Sequence, residues 1–292
     1  MINDRHAYLI MAHNQPELLK KLLILLDDER NDIYIHVDKK MSNFQKDEYE
    51  KVLNKSEIRW VKRTDAKWGS YSLINCELLL LEEAIKVEHG YYHLLSGADL
   101  PLKSQDEIHK FFKKNHGLEF VAGDGTIIRE DLLERVKYYH FYIGKPGKKE
   151  ERLRRHLREI QDILGINRIK KYPGICFQKG SQWFSITHEL AVFVVNKKRW
   201  IKKVFWKSSC GDEMFLQTVV RNSMFVEKIC NQITMPMITD TRYIDWKRGN
   251  PYVFRINDYL DLVSSTALFA RKFDDNVDDD IIEKLYLHLK DK

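Results

Sequence analysis

Over the first 124 residues, short apolar runs alternate with segments of helical spacing, which restricts the chain to very few architectures. "AYLIMA" (7–12) is followed by a Leu-rich helical pattern from Pro16 to Leu26 and then by "DIYIHVD" (32–38). "EIRWVKR" (57–63), "YYHLLSG" (91–97) and "LEFVAGD" (118–124) read as strands. "LINCELLLLEEAIKV" (73–87) and "QDEIHKFFKK" (105–114) read as helices. Repeated βα alternation predicts an α/β fold with a mainly parallel sheet covered by helices. Ligands of such sheets sit beyond the carboxyl ends of the strands. That rule singles out His13 and Asn14, Asp38, Ser96 to Asp99, and Asp124.

With 292 residues, 43% of them hydrophobic and 32% charged, the chain can bury a substantial core and is not expected to be disordered. Apolar runs such as "LAVFVV" (190–195) fall far short of the roughly 20 residues that span a bilayer. "MINDRHAYLIMAHNQ" lacks a basic leader region, so a cytoplasmic location is expected, with the inner face of the membrane as a second possibility. Cys76, Cys176, Cys210 and Cys230 are scattered, without a C-x-x-C pair, and free thiols are expected. A formal charge of +6 permits an anionic partner such as a nucleotide, a nucleic acid or a membrane surface. The basic residues form no recognisable nucleic-acid reader, and no nucleic-acid partner is expected.

Residues 145–171 differ in character, with ten Lys/Arg against four Asp/Glu. Leu153, Leu157, Ile160 and Leu164 fall at helical spacing, giving an apolar stripe beside a basic face. The stripe predicts a surface helix docked on the body of the protein. The basic face suggests peripheral membrane contact through 149–164 or a lipid-linked acceptor. No repeat or low-complexity linker interrupts the chain, so one domain is expected.

Several short stretches carry chemistry. In "SSCGDEMFLQTVV" (208–220), Ser209 and Asp212 have capping-box spacing, which leaves Glu213 as a surplus acid at a helix N-terminus. "HVDKK" (36–40) ends a strand in Asp38, which could accept a uracil imide N–H or simply form a turn. In "LLSGADLPLKS" (94–104) a strand runs into a sharp turn, where Asp99 could hold sugar hydroxyls or close the turn itself. "LFARKFD" (268–274) sets Arg271 and Lys272 between aromatic anchors, a pair suited to a diphosphate, with Arg255 of "YVFRIND" as a candidate third cation.

Taken in order, "AYLIMAHN", "IYIHVDKK", "KWGSYSLINCELLLLEEA", "YYHLLSGADLPLKS", "GSQWFSIT", "CGDEMFLQT" and "LFARKFD" resemble the core-2/I-branching β-1,6-N-acetylglucosaminyltransferase family, which also includes the peptide O-xylosyltransferases. The resemblance implies a GT-A type fold, a UDP-sugar donor and an inverting mechanism. By the same resemblance, Ala12 and Asp38 contact the uridine, and Asp99 the donor sugar. Trp68, Gly69 and Ser70 border the donor pocket, and Gln182 and Trp183 line the acceptor side. Glu213 is the base, while Arg271, Lys272 and, less closely matched, Arg255 bind the diphosphate. The single domain 1–292 then divides into a nucleotide-binding half, 1–124, and an acceptor and catalytic half, 125–292, which carries the basic insertion.

Neither the membrane anchor nor the disulfides of the animal members are seen in the sequence, so it resembles a bacterial member engaged in surface polysaccharide assembly. The expected acceptor is a glycan or lipid-linked glycan, with GlcNAc the favoured donor sugar and xylose or a hexose as alternatives. No D-x-D motif ends a strand; "DDNVDDD" (274–280) reads as helix-capping acids. No metal or other cofactor is therefore expected, the two cations taking the metal's charge role. A non-catalytic sugar-nucleotide or polyanion binding protein remains an alternative. A glycoside hydrolase is less consistent with a diphosphate clamp.

Overall fold

The computed structural model describes residues 4–42, 44–123, 130–141, 147–230 and 241–292. Asp124 and the first two residues of the basic insertion lie outside them. A six-stranded sheet is built from β1 (His6–Ala12), β2 (Asn31–Val37), β3 (Glu57–Trp60), β4 (Tyr91–Ser96), β6 (Phe120–Gly123) and β7 (Gly180–Thr187), in the order β3-β2-β1-β4-β7-β6. The first four run parallel; β7 is antiparallel to β4, and β6 to β7. A smaller sheet joins β5 (Asp99–Pro101), β9 (Phe269–Arg271) and β8 (Arg242–Ile244), in the order β5-β9-β8. The expected α/β fold with a mainly parallel sheet is thus the observed one.

Successive side chains of a strand point to opposite faces, and both faces of this sheet are covered. From β1, Tyr8, Ile10 and Ala12 join one core with the helix Pro16–Leu26, while Ala7 and Leu9 join a second core with the helix Tyr71–Ala84. This double coverage explains why Ala7 to Ala12 of β1 form a continuous run without polar alternation. The helix at 105–114 carries the capping box its sequence encodes, Ser104 with Glu107. "DDNVDDD" caps the C-terminal helix through Asp278, which accepts from the Ile281 N–H at 3.1 Å. No disulfide joins Cys76, Cys176, Cys210 or Cys230 to one another. Among the described residues no helix is long and apolar enough to cross a membrane.

The basic insertion departs from expectation. Its helix, Lys148–Ile163, does not dock by the Leu153–Leu157–Ile160–Leu164 stripe, because Leu153, Ile160 and Leu164 are exposed. Leu157 is half-buried, and the helix is held by polar contacts: Arg158 to Glu134 at 2.8 Å, Asp162 to Tyr138 and Lys137, and buried Gln161. The Gln161 carboxamide accepts from the Tyr139 N–H at 2.8 Å and donates to the Tyr139 carbonyl at 3.1 Å. These polar contacts have overridden the apolar periodicity.

Where β6 meets β7, Gly123 stands opposite Gly180, beside a register shift. A Cβ on Gly180 would lie 1.6 Å from the Ala122 carbonyl oxygen, whereas one on Gly123 would meet nothing closer than 3.8 Å. Gly180→Ala should therefore destabilise the fold by about 1–3 kcal/mol. Gly123→Ala should stay within about 0.5 kcal/mol of the parent, and denaturant unfolding of both variants tests the contrast.

Candidate active site

A cavity of about 960 Å³ opens at the carboxyl ends of β1, β2 and β4 and is closed by loops from the second half of the chain. Ala12 and Asp38 form part of its wall, and the Ala12 carbonyl accepts from the Asp38 N–H at 2.8 Å. Asp38 is buried and acts as a turn former. Its two carboxylate oxygens accept from the Lys40 N–H at 2.8 Å and the Ala66 N–H at 3.0 Å, pinning two loops at the strand end. Trp68 lines the cavity and is exposed. Gly69 and Ser70 stand behind it. Gly69 adopts φ 71, a left-handed conformation that suits glycine, and its carbonyl accepts from the Cys210 N–H at 2.9 Å. Ser70 caps the helix Tyr71–Ala84 by accepting from the Ser72 N–H.

On the cation side, Phe269 and Phe273 are fully buried, so the anchors expected around Arg271 and Lys272 are present. The Arg271 guanidinium reaches the cavity, lies 4.3 Å from the centre of the Trp183 ring and donates to Asp99 Oδ1 at 2.6 Å. Asp99 is buried behind Arg271 rather than on the cavity wall, and its other oxygen accepts from the Ser96 N–H at 2.9 Å. Burial pushes the Asp99 carboxyl above its ordinary value, although Arg271 opposes the shift. Lys272 makes itself felt at His13 on the cavity wall. Burial, then the charges of Lys272 and Arg271, lower the His13 pKa and favour the neutral imidazole.

Arg255 does not join this group. It is exposed, its backbone N–H donates to Asp258, and it lies outside the cavity lining, because the turn at 255–258 directs it to the surface. A buried cation not anticipated from sequence, Arg242, does line the cavity. It donates to the carbonyls of Leu94 and Phe184 at 3.0 and 2.7 Å and to the Ser185 hydroxyl at 2.8 Å.

Gln182 and Trp183 are neighbours on β7: Trp183 stacks on Arg271 at the cation side, whereas Gln182 donates to Glu77 Oε1 at 2.9 Å on the acidic side. The capping box expected at Ser209 and Asp212 does not form. Cys210 takes a left-handed φ of 47, a short 3₁₀ turn spans Gly211–Glu213, and the α-helix begins only at Phe215. The Ser209 N–H donates to the Arg135 carbonyl, and Asp212 points into the protein, buried at the cavity wall. Burial, reinforced by the neighbouring Glu213 charge, raises the Asp212 carboxyl to about 7. Burial and then Asp212 push Glu77 well above its ordinary value too. Asp212 Oδ1 and Glu77 Oε2 have no hydrogen-bond partner among the described residues.

Glu213 is partly exposed to the cavity and carries two cations: Arg135 Nη1 at 2.7 Å from its Oε2, and Lys179 Nζ at 3.5 Å. Neither cation was anticipated, since each comes from a segment remote in sequence. Among the described residues, no three His, Cys, Asp or Glu side chains converge as a metal site.

Asp212 yields a pH prediction. Its folded-state pKa of about 7 lies above the unfolded value near 3.8, so the folded protein holds the proton more tightly. The resulting stability is fully present below the unfolded value and is lost as pH rises to about 7. Asp212→Asn should flatten this loss, with an upper bound of about 4 kcal/mol; melting temperatures from pH 4 to 8 check it.

Residues 6–260 match the family model described as Core-2/I-Branching enzyme. Xylosyltransferase 2 of Homo sapiens is 26% identical over 308 residues, covering 98% of this chain and 34% of the human protein. Xylosyltransferase sqv-6 of Caenorhabditis elegans is 26% identical over 286 residues, covering 86% of this chain and 32% of the worm protein. The chain thus spans about a third of the length of these animal relatives. The apo crystal structure of mouse xyloside xylosyltransferase 1 aligns with a TM-score of 0.36 and 10% identity, over 90% of this chain and 96% of that one. The family match includes β1, the Asp38 turn, the Trp68 loop, β7 and Glu213, and on that extent the chain belongs to the Core-2/I-Branching enzyme family.

Proposed function

We propose that this protein is an inverting glycosyltransferase that moves a sugar from a UDP-sugar to a hydroxyl of a glycan or lipid-linked glycan. The observation that carries the reading is a single cavity in which a carboxylate, Glu213, and an anchored guanidinium, Arg271, face a common space beyond the sheet. In this scheme Ala12 and Asp38 receive the uridine, and Arg271 and Lys272 neutralise the diphosphate, as fixed cations do for a departing anion. Arg242 adds positive potential beneath them. The acceptor hydroxyl gives its proton to Glu213 as its oxygen bonds to the anomeric carbon, and the bond to UDP breaks on the opposite face. A positioned base typically contributes a factor of about 10² to 10⁴. No metal is needed in this scheme, because side chains supply the charge.

GlcNAc is the donor sugar favoured by the resemblance to the branching enzymes, and the xylosyltransferase relatives bring xylose into the same reading. UDP release over a panel of UDP-sugars tests the choice. Binding of UDP without release from any donor would favour a non-catalytic nucleotide-sugar binder. Exposed Leu153, Ile160, Ile163 and Leu164, with Lys149, Arg152 and Arg155 beside them, also support contact with an anionic membrane surface. Reversal of both arginines to Glu should then reduce binding to phosphatidylglycerol vesicles.

Glu213→Gln should lower transfer by about 10² or more while UDP affinity is retained. Preserved transfer under conditions where chemistry limits would assign the base elsewhere. Replacing Arg271 and Lys272 together by Ala should weaken UDP far more than uridine, by about 1.5–3 kcal/mol for each charge-assisted hydrogen bond lost. The stabilisation that UDP confers on the parent protein should survive a chelator; its loss would contradict the side-chain clamp.

A further inference from the structure

A second cavity, of about 230 Å³, adjoins the first, and Arg135 lines both. The Arg135 guanidinium meets Glu213 in the first cavity, and its carbonyl is tied to the N–H of Ser209, a residue of the second. The remaining wall comes largely from the basic insertion and the segment before it. Tyr139 and Phe141 form an aromatic pair with ring centres 6.4 Å apart, and Phe141 is exposed. Arg154 and Arg158 enter from the insertion helix. Arg168 lies over the Tyr139 ring at 4.8 Å and Lys207 over the Phe141 ring at 5.4 Å. Two acids also contribute: Glu134, bonded to Arg158 at 2.8 Å, and Glu151. Arg135, Arg154 and Arg158 against Glu134 and Glu151 leave the lining with one surplus positive charge, and Arg168 and Lys207 stand just outside it. The His140 pKa is lowered chiefly by burial, opposed by the hydrogen bond to the Glu134 carbonyl, with smaller lowering by Arg158, Arg168 and Arg154.

Aromatic faces suit the apolar face of a sugar ring, and guanidinium groups suit the paired oxygens of a carboxylate or phosphate. We infer that the second cavity is an acceptor subsite for a saccharide ring bearing an acidic group. This inference rests on the transferase reading for the word acceptor, but not for the binding itself. Such a group would meet Arg154 and Arg158 at the wall of the second cavity, while Arg135, held by Glu213, stands between the two cavities. The reacting hydroxyl then belongs to the neighbouring residue of the same saccharide.

The test uses the full chain saturated with UDP, titrated with p-nitrophenyl β-D-glucuronide and with p-nitrophenyl β-D-glucoside. The two probes differ only in the carboxylate at C6. The glucuronide should bind at least about tenfold more tightly, the scale of one charge-assisted hydrogen bond. Substituting Arg154→Gln and Arg158→Gln together, with melting temperature retained, should bring the glucuronide to the glucoside's affinity. Equal affinities in the parent protein, or a preference that survives the double substitution, would overturn the inference. Inorganic phosphate binding as tightly as the glucuronide would reduce the site to one for an adventitious ion only. UDP release from the donor panel is measured separately, so an inactive protein that prefers the glucuronide removes the transferase reading and keeps the subsite.

Discussion

The ion pair between Asp99 and Arg271 fixes the cavity's geometry. Their side chains are 1% and 16% exposed, so each charge depends on the other for much of what water would otherwise supply. Removing one partner of such a pair typically costs about 3–5 kcal/mol, because the other is left buried and unanswered. Four strands meet there. Asp99 and Arg271 face one another across β5 and β9, Asp99 also takes the N–H of Ser96 at the end of β4, and Arg271 rests on Trp183 of β7. The smaller sheet is thereby held against the ends of the larger one, which is where a cation must stand to face a ligand at the strand tips.

The opposite wall is arranged differently. Glu77, Asp212 and Glu213 are close enough for their charges to interact in sequence, and burial makes ionisation of the inner two expensive. The outermost acid is the one supplied with cations, Arg135 and Lys179. Negative charge is thus concentrated at the cavity surface while the carboxyls beneath favour their protons. Gln182 joins this wall to the rest of β7 by donating to Glu77.

Much of this was legible in the sequence. The strand ends, the helix from Pro16 to Leu26 and the aromatic anchors of Arg271 follow from period and burial, which act over a few residues. The misreadings have physical causes. S-x-x-D spacing at 209–212 matches a cap, but a left-handed Cys210 turns the chain before a helix can start, and Asp212 goes inward. The stripe on the insertion helix fits a docking face, yet polar contacts win, among them Gln161, which satisfies both backbone groups of Tyr139. Arg135, Lys179 and Arg242 escaped notice because lone cations acquire meaning only when distant segments meet. Glu77 did leave a sign, as a carboxylate on the buried side of a Leu-rich helix.

The insertion helix contributes no residue between 148 and 163 to either hydrophobic core. Its attachment is polar and local, so changes in it need not disturb the packing that holds the sheet together. Substitutions there can accumulate with little effect on foldability, whereas those around β7 cannot. A lineage could therefore exchange one partner molecule for another by redrafting this segment, while the machinery at the strand tips stays as it is.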